Sequence, residues 1–286
     1  MNALIDMLAQ SPPMAIGVAA VFGLLVGSFL NVVILRLPKM IEAQWQAAIA
    51  EQRGEELAPQ PAFNLVTPRS RCPKCGHQIR AWENIPVLSW LMLRGRCAGC
   101  GTAIPLRYPV VELAAGVLAA IAVWRFGASW AGLAAVGLTF ALITLTVIDI
   151  DTQLLPDVIT LPLLWAGLIL NLWSVFTPLP DAVIGAVVGY LLLWSVYWLF
   201  KLATGKEGMG YGDFKLLAAL GAWFGWKAVP AVILLSSVVG AAVGITLMLV
   251  ARRGRDVPIP FGPYLAGAGL LTLYFRDPLV ALFLPG

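Results

Sequence analysis

Apolar residues run through this chain in long blocks, not in short alternating or helical stripes. A block of about 20 apolar residues is what a helix needs to cross the hydrocarbon core of a bilayer. Eight stretches fit: residues 14–35, 107–126, 129–149, 157–176, 181–202, 212–226, 228–250 and 259–282. The sixth is short, and the eighth is Gly-rich and starts after Pro258 and Pro260. The expected fold class is an all-α polytopic membrane protein with about eight transmembrane helices. One polar stretch interrupts the pattern. It divides the chain into a first span (1–36), a loop domain (37–106) and a membrane core of about seven spans (107–286). Residues 41–57 read as an amphipathic helix.

Composition agrees with lipid as the solvent. Of the 286 residues, 60% are hydrophobic and 12% charged, and the mean hydropathy is +0.86. Soluble domains average about 45–50% apolar and about 25% charged residues. The net charge of +4 comes with no interleaved basic and aromatic stripe, which excludes nucleic acid as a partner. The N-terminus carries Asp6 and no Lys or Arg before the first apolar block, so it does not read as a secretory signal. Sixteen of the nineteen Lys and Arg residues fall in or beside the 37–106 loop, near 203–212, or at Arg252, Arg253 and Arg255. Only Arg125, Lys227 and Arg276 lie on the other side. The positive-inside rule then places the 37–106 loop in the cytoplasm and both termini outside.

The loop holds all four cysteines, as Cys72-Pro-Lys-Cys75 and Cys97-Ala-Gly-Cys100, with 21 residues between the pairs. Two CxxC knuckles at this separation read as a tetrahedral Zn(Cys)4 site. Gly76 and Gly101 follow the pairs and suit the tight turn each knuckle needs. Disulfides or free thiols are the alternative, and a reducing compartment disfavours disulfides. Four thiolates close the coordination sphere, so the metal is expected to be structural. His77 is the only histidine and is expected at the surface, which makes a His-based triad improbable.

Carboxylates near membrane depth are costly and mark function. Thr146-Val-Ile-Asp149-Ile-Asp151-Thr-Gln-Leu-Leu-Pro156-Asp157 closes the third stretch and opens the fourth. Gly208-Met-Gly210-Tyr-Gly212-Asp213-Phe-Lys215 opens the sixth. Asp149 and Asp213 are 64 residues apart, and the hairpin between them returns the chain to the same face. Two carboxylates sharing a proton are what an aspartic peptidase requires. The helix ends favour Asp213, at an N-terminus, as initial base and Asp149, at a C-terminus, as acid. Asp157 reads as an N-cap, and Asp151 as a solvated neighbour. Asn31 and Glu112 are expected in helix packing or the site wall. On spacing alone, Asp149 and Asp213 also fit interface residues or a transporter's ion relay. A zinc-bearing assembly protein without chemistry of its own stays open as well.

Further segments resemble the type IV prepilin peptidases, the bifunctional leader peptidase/N-methyltransferases of type IV pilus and type II secretion systems. The resemblance rests on Gly27-Ser-Phe-Leu-Asn31-Val-Val-Ile-Leu-Arg36-Leu-Pro38, the paired knuckles and Glu83-Asn-Ile-Pro86-Val-Leu-Ser-Trp90. It continues through the Asp149 and Asp213 segments, the latter shared with GxGD membrane aspartyl proteases. The resemblance implies that Asp149 and Asp213 are the catalytic pair. It also implies prepilin and pseudopilin precursors as substrates, with a basic leader ending in glycine. Cleavage is implied at the cytoplasmic face of the inner membrane, followed by N-methylation with S-adenosylmethionine. No Gly-rich nucleotide fingerprint marks the methyl-donor site, and Glu83, Asn84 and Gly95 in the loop are the candidates. Glu42, Glu51, Glu55 and Glu56 are candidates to attract a basic leader, or simply a solvated face. Oligomeric state is not legible.

Overall fold

A computed structural model describes residues 11–55, 61–250 and 259–283. Asp6, Glu56, Leu57, Arg252, Arg253, Arg255 and Pro258 lie outside the described residues. The helices are α1 (Pro12–Arg53), a short α2 (Leu88–Met92), α3 (Arg107–Phe126), α4 (Trp130–Thr152) and α5 (Asp157–Asn171). They continue as α6 (Leu179–Thr204), α7 (Tyr211–Phe224), α8 (Val229–Val250) and α9 (Gly262–Phe283). The chain divides into two compact units, Met1–Thr144 and Leu145–Gly286, the division falling inside α4.

A helix forms at each of the eight apolar blocks, yet six, among the described residues, are long and apolar enough to cross a membrane. With 15 and 14 residues, α5 and α7 rise only about 21–23 Å, short of the roughly 30 Å core. Of the about eight spans expected, six are thus shown by length and composition. Local chemistry stops both helices. The Asn171 side chain accepts the amides of Phe176 and Thr177 at 3.0 and 3.1 Å and turns the chain after α5. Gly225, at φ +82°, turns it after α7.

The first span and the amphipathic helix also differ from expectation, because they join into one helix of 42 residues. Pro38 lies inside it and forgoes one backbone hydrogen bond without ending it. The helix stops at Gly54, φ +67°, whose amide bonds the Ala50 and Glu51 carbonyls.

In the first unit, α1 packs on α3 along Ala15, Ala19, Gly23 and Gly27, which recur every four residues and are buried. Lipid offers no hydrophobic drive between helices, so small residues that let backbones approach supply the packing. A Cβ on Gly27 would stand 2.7 Å from the Glu112 Cα, and one on Gly23 2.8 Å from the Gly116 Cα. Asn31 Nδ2 donates to the Tyr108 carbonyl at 3.1 Å, so this polar group serves helix packing as expected. Glu112 Oε2 accepts the Val87 amide at 2.8 Å, tying the loop to α3. Val87 holds φ +61°, a costly conformation for a β-branched residue that aims its amide at Glu112.

The second unit is built around α7, with Asp213, Phe214 and residues 216–224 all buried. Gly185 and Gly221 meet backbone to backbone, since a Cβ on either would overlap the other's carbonyl oxygen. A Cβ on Gly189 would stand 2.7 Å from the Leu217 carbonyl oxygen. A buried helix end needs partners for its orphan carbonyls. Asn171 Nδ2 donates to the Ala222 and Trp223 carbonyls at 2.8 and 3.1 Å, and Arg276 Nε donates to Phe224 at 3.0 Å. Trp223 Nε1 reaches the Leu163 carbonyl at 2.8 Å.

Asn171→Leu strands two carbonyls at the end of α7 and two amides in the turn after α5. Each buried unsatisfied group costs about 1–3 kcal/mol, so thermal unfolding in detergent should move down by the equivalent of at least about 2 kcal/mol. Gly185→Val should destabilise by about 1–3 kcal/mol through overpacking, measured in the same way. The exposed Gly17, with open space at its Cβ position, should tolerate Ala without loss.

Candidate active site and metal centre

The last turn of α4 carries Asp149, after which Gln153 at φ +56° breaks the helix. Asp213 sits in the first turn of α7, behind Gly210 in extended conformation. Gly212 lets the two segments touch, since a Cβ there would lie 2.6 Å from the Leu155 Cβ. A third segment completes the site: residues 259–261 lead into α9, and the Gly262 amide donates to Asp149 Oδ2 at 2.9 Å.

The structure brings Asp149 and Asp213 together in the wall of one cavity of about 310 Å³, with Glu207, Gly210, Pro260 and Phe261. Both are buried, 4% and 6% exposed, and they interact electrostatically. Asp213 Oδ1 meets no donor among the described residues. The helix-end reading of acid and base therefore omitted a term. A hydrogen bond to a charged group contributes about 1.5–3 kcal/mol, and a helix end about 0.3–1 kcal/mol. The Gly262 amide is thus a further influence on Asp149 beside the C-terminus of α4. Two buried carboxylates in unequal surroundings on a cavity with room for water can share one proton.

The neighbouring acids have other work. Asp157 is not the N-cap, which is Pro156. It is the first helical residue, and both its carboxylate oxygens take the Lys215 ammonium at 2.7 Å. That ion pair joins α5 to α7 beside the site and outcompetes the cap. Asp151 is exposed. Glu207, which the sequence reading did not single out, lines the cavity and pairs with Lys201 at 2.8 Å. The Lys201 ammonium holds its carboxyl below the ordinary range. Gly262 was missed too. The Pro and Gly run before the last apolar block signals a helix start, but not which carboxylate that start faces.

The four cysteine sulfurs lie within 4.8 Å of one another and can hold a metal ion. Cys72 to Cys100 and Cys75 to Cys97 are each 3.9 Å, Sγ to Sγ. A tetrahedral Zn–S shell with bonds of about 2.3 Å has edges of about 3.8 Å, and a disulfide would need about 2.05 Å. The knuckles share one hydrogen-bond plan. Cys72 N bonds His77 O and Gly76 N bonds Cys72 O; Cys97 N bonds Thr102 O and Gly101 N bonds Cys97 O. Gly76 and Gly101 take φ +73° and +69°, the turn expected of them. The Thr102 hydroxyl and amide draw Cys100 down to about 6. Cys75 is pushed up to about 12, because desolvation and the neighbouring thiols overcome the pull of the His77 amide. Four sulfurs this close need a cation to be thiolates together.

His77 is not a free surface residue, since its Nε2 lies 3.1 Å from Glu83. Glu83 also accepts the Arg80 amide at 2.9 Å, so it braces the loop beside the first knuckle. Gly95, φ +66°, lies against the Trp90 ring, 2.7 Å from where its Cβ would be. Asn84 is exposed, and the Ser28 hydroxyl reaches its Oδ1 at 3.4 Å. Glu42 and Glu51 are exposed on α1, and Glu55 is exposed just after it.

Two family models match the chain: the bacterial peptidase A24 N-terminal domain over residues 21–126 and the type IV leader peptidase family over 136–245. A prepilin leader peptidase/N-methyltransferase of Stutzerimonas stutzeri is 56% identical over 283 residues, 98% of this chain and 97% of the relative. Its Pseudomonas aeruginosa counterpart is 54% identical over 282 residues, covering 98% and 97%. That of Aeromonas salmonicida is 53% identical over 288 residues, covering 99% of each. No solved structure matches. The buried aspartate pair falls within the second matched region, and with more than half the residues shared along nearly the full length, the chain belongs to the type IV leader peptidase family.

Proposed function

We propose that this chain is a membrane aspartic endopeptidase that removes the basic leader from prepilin and pseudopilin precursors. It then N-methylates the new terminal residue with S-adenosylmethionine. The observation that carries the peptidase reading is the pair of buried carboxylates, Asp149 and Asp213, on one cavity. The ionised member takes a proton from water as the hydroxyl adds to the scissile carbonyl carbon, and the protonated member gives its proton to the carbonyl oxygen. The diol then collapses. One hydroxyl proton returns to the second aspartate, the C–N bond breaks, and the amine takes the proton held by the first. The dyad ends as it began.

The enzyme is multi-pass in the inner membrane, with the dyad and the cysteine loop facing the cytoplasm. The distribution of Lys and Arg supports this orientation. A basic leader stays on that side while the following apolar helix enters lipid, which holds the scissile bond at the interface. Cys72, Cys75, Cys97 and Cys100 are the proposed ligands of one structural Zn2+, which would stiffen a loop with too little apolar core of its own. Residues 1–36 anchor this loop domain (37–106), and 107–286 form the peptidase core. Methyl transfer asks mainly for positioning. The loop is its proposed platform, with Asn84 offered to the donor and Glu83 and Gly95 shaping the surface around it.

Purified protein with a prepilin should lose leader removal by at least about 10²-fold in Asp149→Asn and in Asp213→Asn. Methylation of an already processed pilin should persist in both variants. Undiminished cleavage in either variant sinks that residue's role. Cys72→Ser should lower bound zinc from about one per chain, read by elemental analysis. Unchanged metal content rejects the cysteine assignment.

A further inference from the structure

Asp149 and Asp213 differ in what surrounds them. Asp149 Oδ2 accepts the Gly262 amide at 2.9 Å, at the start of α9. Asp213 Oδ1 is buried without a donor among the described residues. Burial and the neighbouring Asp149 weigh more on that carboxyl than the Gly210 backbone, the one amide acting on it. A hydrogen bond to a carboxylate favours its charged form. A buried carboxyl oxygen without a donor is far better tolerated in a neutral acid.

The contact at Asp149 also has a tolerance that only glycine meets. A Cβ at position 262 would lie 2.7 Å from Asp149 Oδ2, 3.1 Å from its Cγ and 3.0 Å from Leu155 Cδ2. Further along the first turn, Pro263 has no amide to offer, and the Tyr264 and Leu265 amides bond the Phe261 carbonyl at 3.1 and 3.2 Å. Gly262 is therefore the first-turn amide that reaches the dyad.

We propose that Gly262 is a positioning residue that holds Asp149 as the standing carboxylate, so that Asp149 is the general base and Asp213 carries the shared proton. This rests on the dyad reading above and reverses the division of labour that the two helix ends favoured. In it, Asp149 takes the proton of the attacking water and Asp213 protonates the carbonyl oxygen. Among the described residues, Glu207 is engaged with Lys201 and Asp157 with Lys215, and Asp151 is exposed.

Gly262→Ala tests it. The added methyl displaces the carboxylate, so kcat for a prepilin should fall about 10²-fold with KM little changed. The acidic limb of the kcat pH profile should move to higher pH, because Asp149 loses the donor that favours its anion. Gly269→Ala is the control, on the same helix, where a Cβ would lie 2.6 Å from Leu220 Cδ2. It should lower thermal stability and leave the pH profile in place. If the two variants behave alike, with the pH profile unmoved, Gly262 is only a packing residue and the proposal fails. A second measurement needs no change at position 262. The 13Cγ signals of labelled aspartates in the wild-type protein are titrated, with Asp149→Asn and Asp213→Asn for assignment. Asp149 should stay ionised at pH values where Asp213 is still protonated, and the opposite order overturns the proposal. The dyad reading fails separately, by full leader removal in Asp149→Asn.

Discussion

A short helix sealed inside a membrane protein has nowhere to send its orphan backbone groups, and α7 is organised around that constraint. In lipid, every buried carbonyl and amide must find a protein partner. At its C-terminal end, α7 finds Asn171 and Arg276. At its N-terminal end, Asp213 stands at the cavity. The first turn of α7 lies beside the end of α4 and the start of α9.

Close backbone packing makes that placement exact enough for chemistry. Gly185 against Gly221, Gly189 against Leu217 and Gly212 against Leu155 bring chain segments nearer than any side chain would allow. Gly262 against Asp149 is the same device turned on a carboxylate. In a solvent as apolar as leucine, this contact is what association has to work with. The glycines that hold the helices together and the glycine that touches Asp149 belong to one strategy.

The cysteine loop solves a different problem. Its polar segments have too little apolar surface to fold on, and two knuckles with a matching hydrogen-bond plan give it a centre. Glu112 joins that centre to the membrane through the Val87 amide, at the expense of a strained φ of +61°. A carboxylate at membrane depth thus serves as the hinge pin between the loop and α3.

Much of this was legible in the chain itself. The apolar blocks marked each helix, because about 20 apolar residues in a row have one stable solution in lipid. The CxxC spacing marked the cysteine cluster, because a knuckle is a local structure. Asp149 and Asp213 stood out as carboxylates at the ends of apolar blocks. What needed tertiary structure was every feature that depends on distance between remote segments. Asp157 reads as a cap until Lys215, 58 residues on, is seen to take it. Residues 157–176 read as one apolar block, but the helix in it ends at Asn171, which bonds the turn and α7 at once. The Gly262 amide, 113 residues from Asp149, meets its carboxylate only in the folded chain. Sequence patterns report what a segment does for itself; a hydrogen bond between remote segments is decided only when packing sets them side by side.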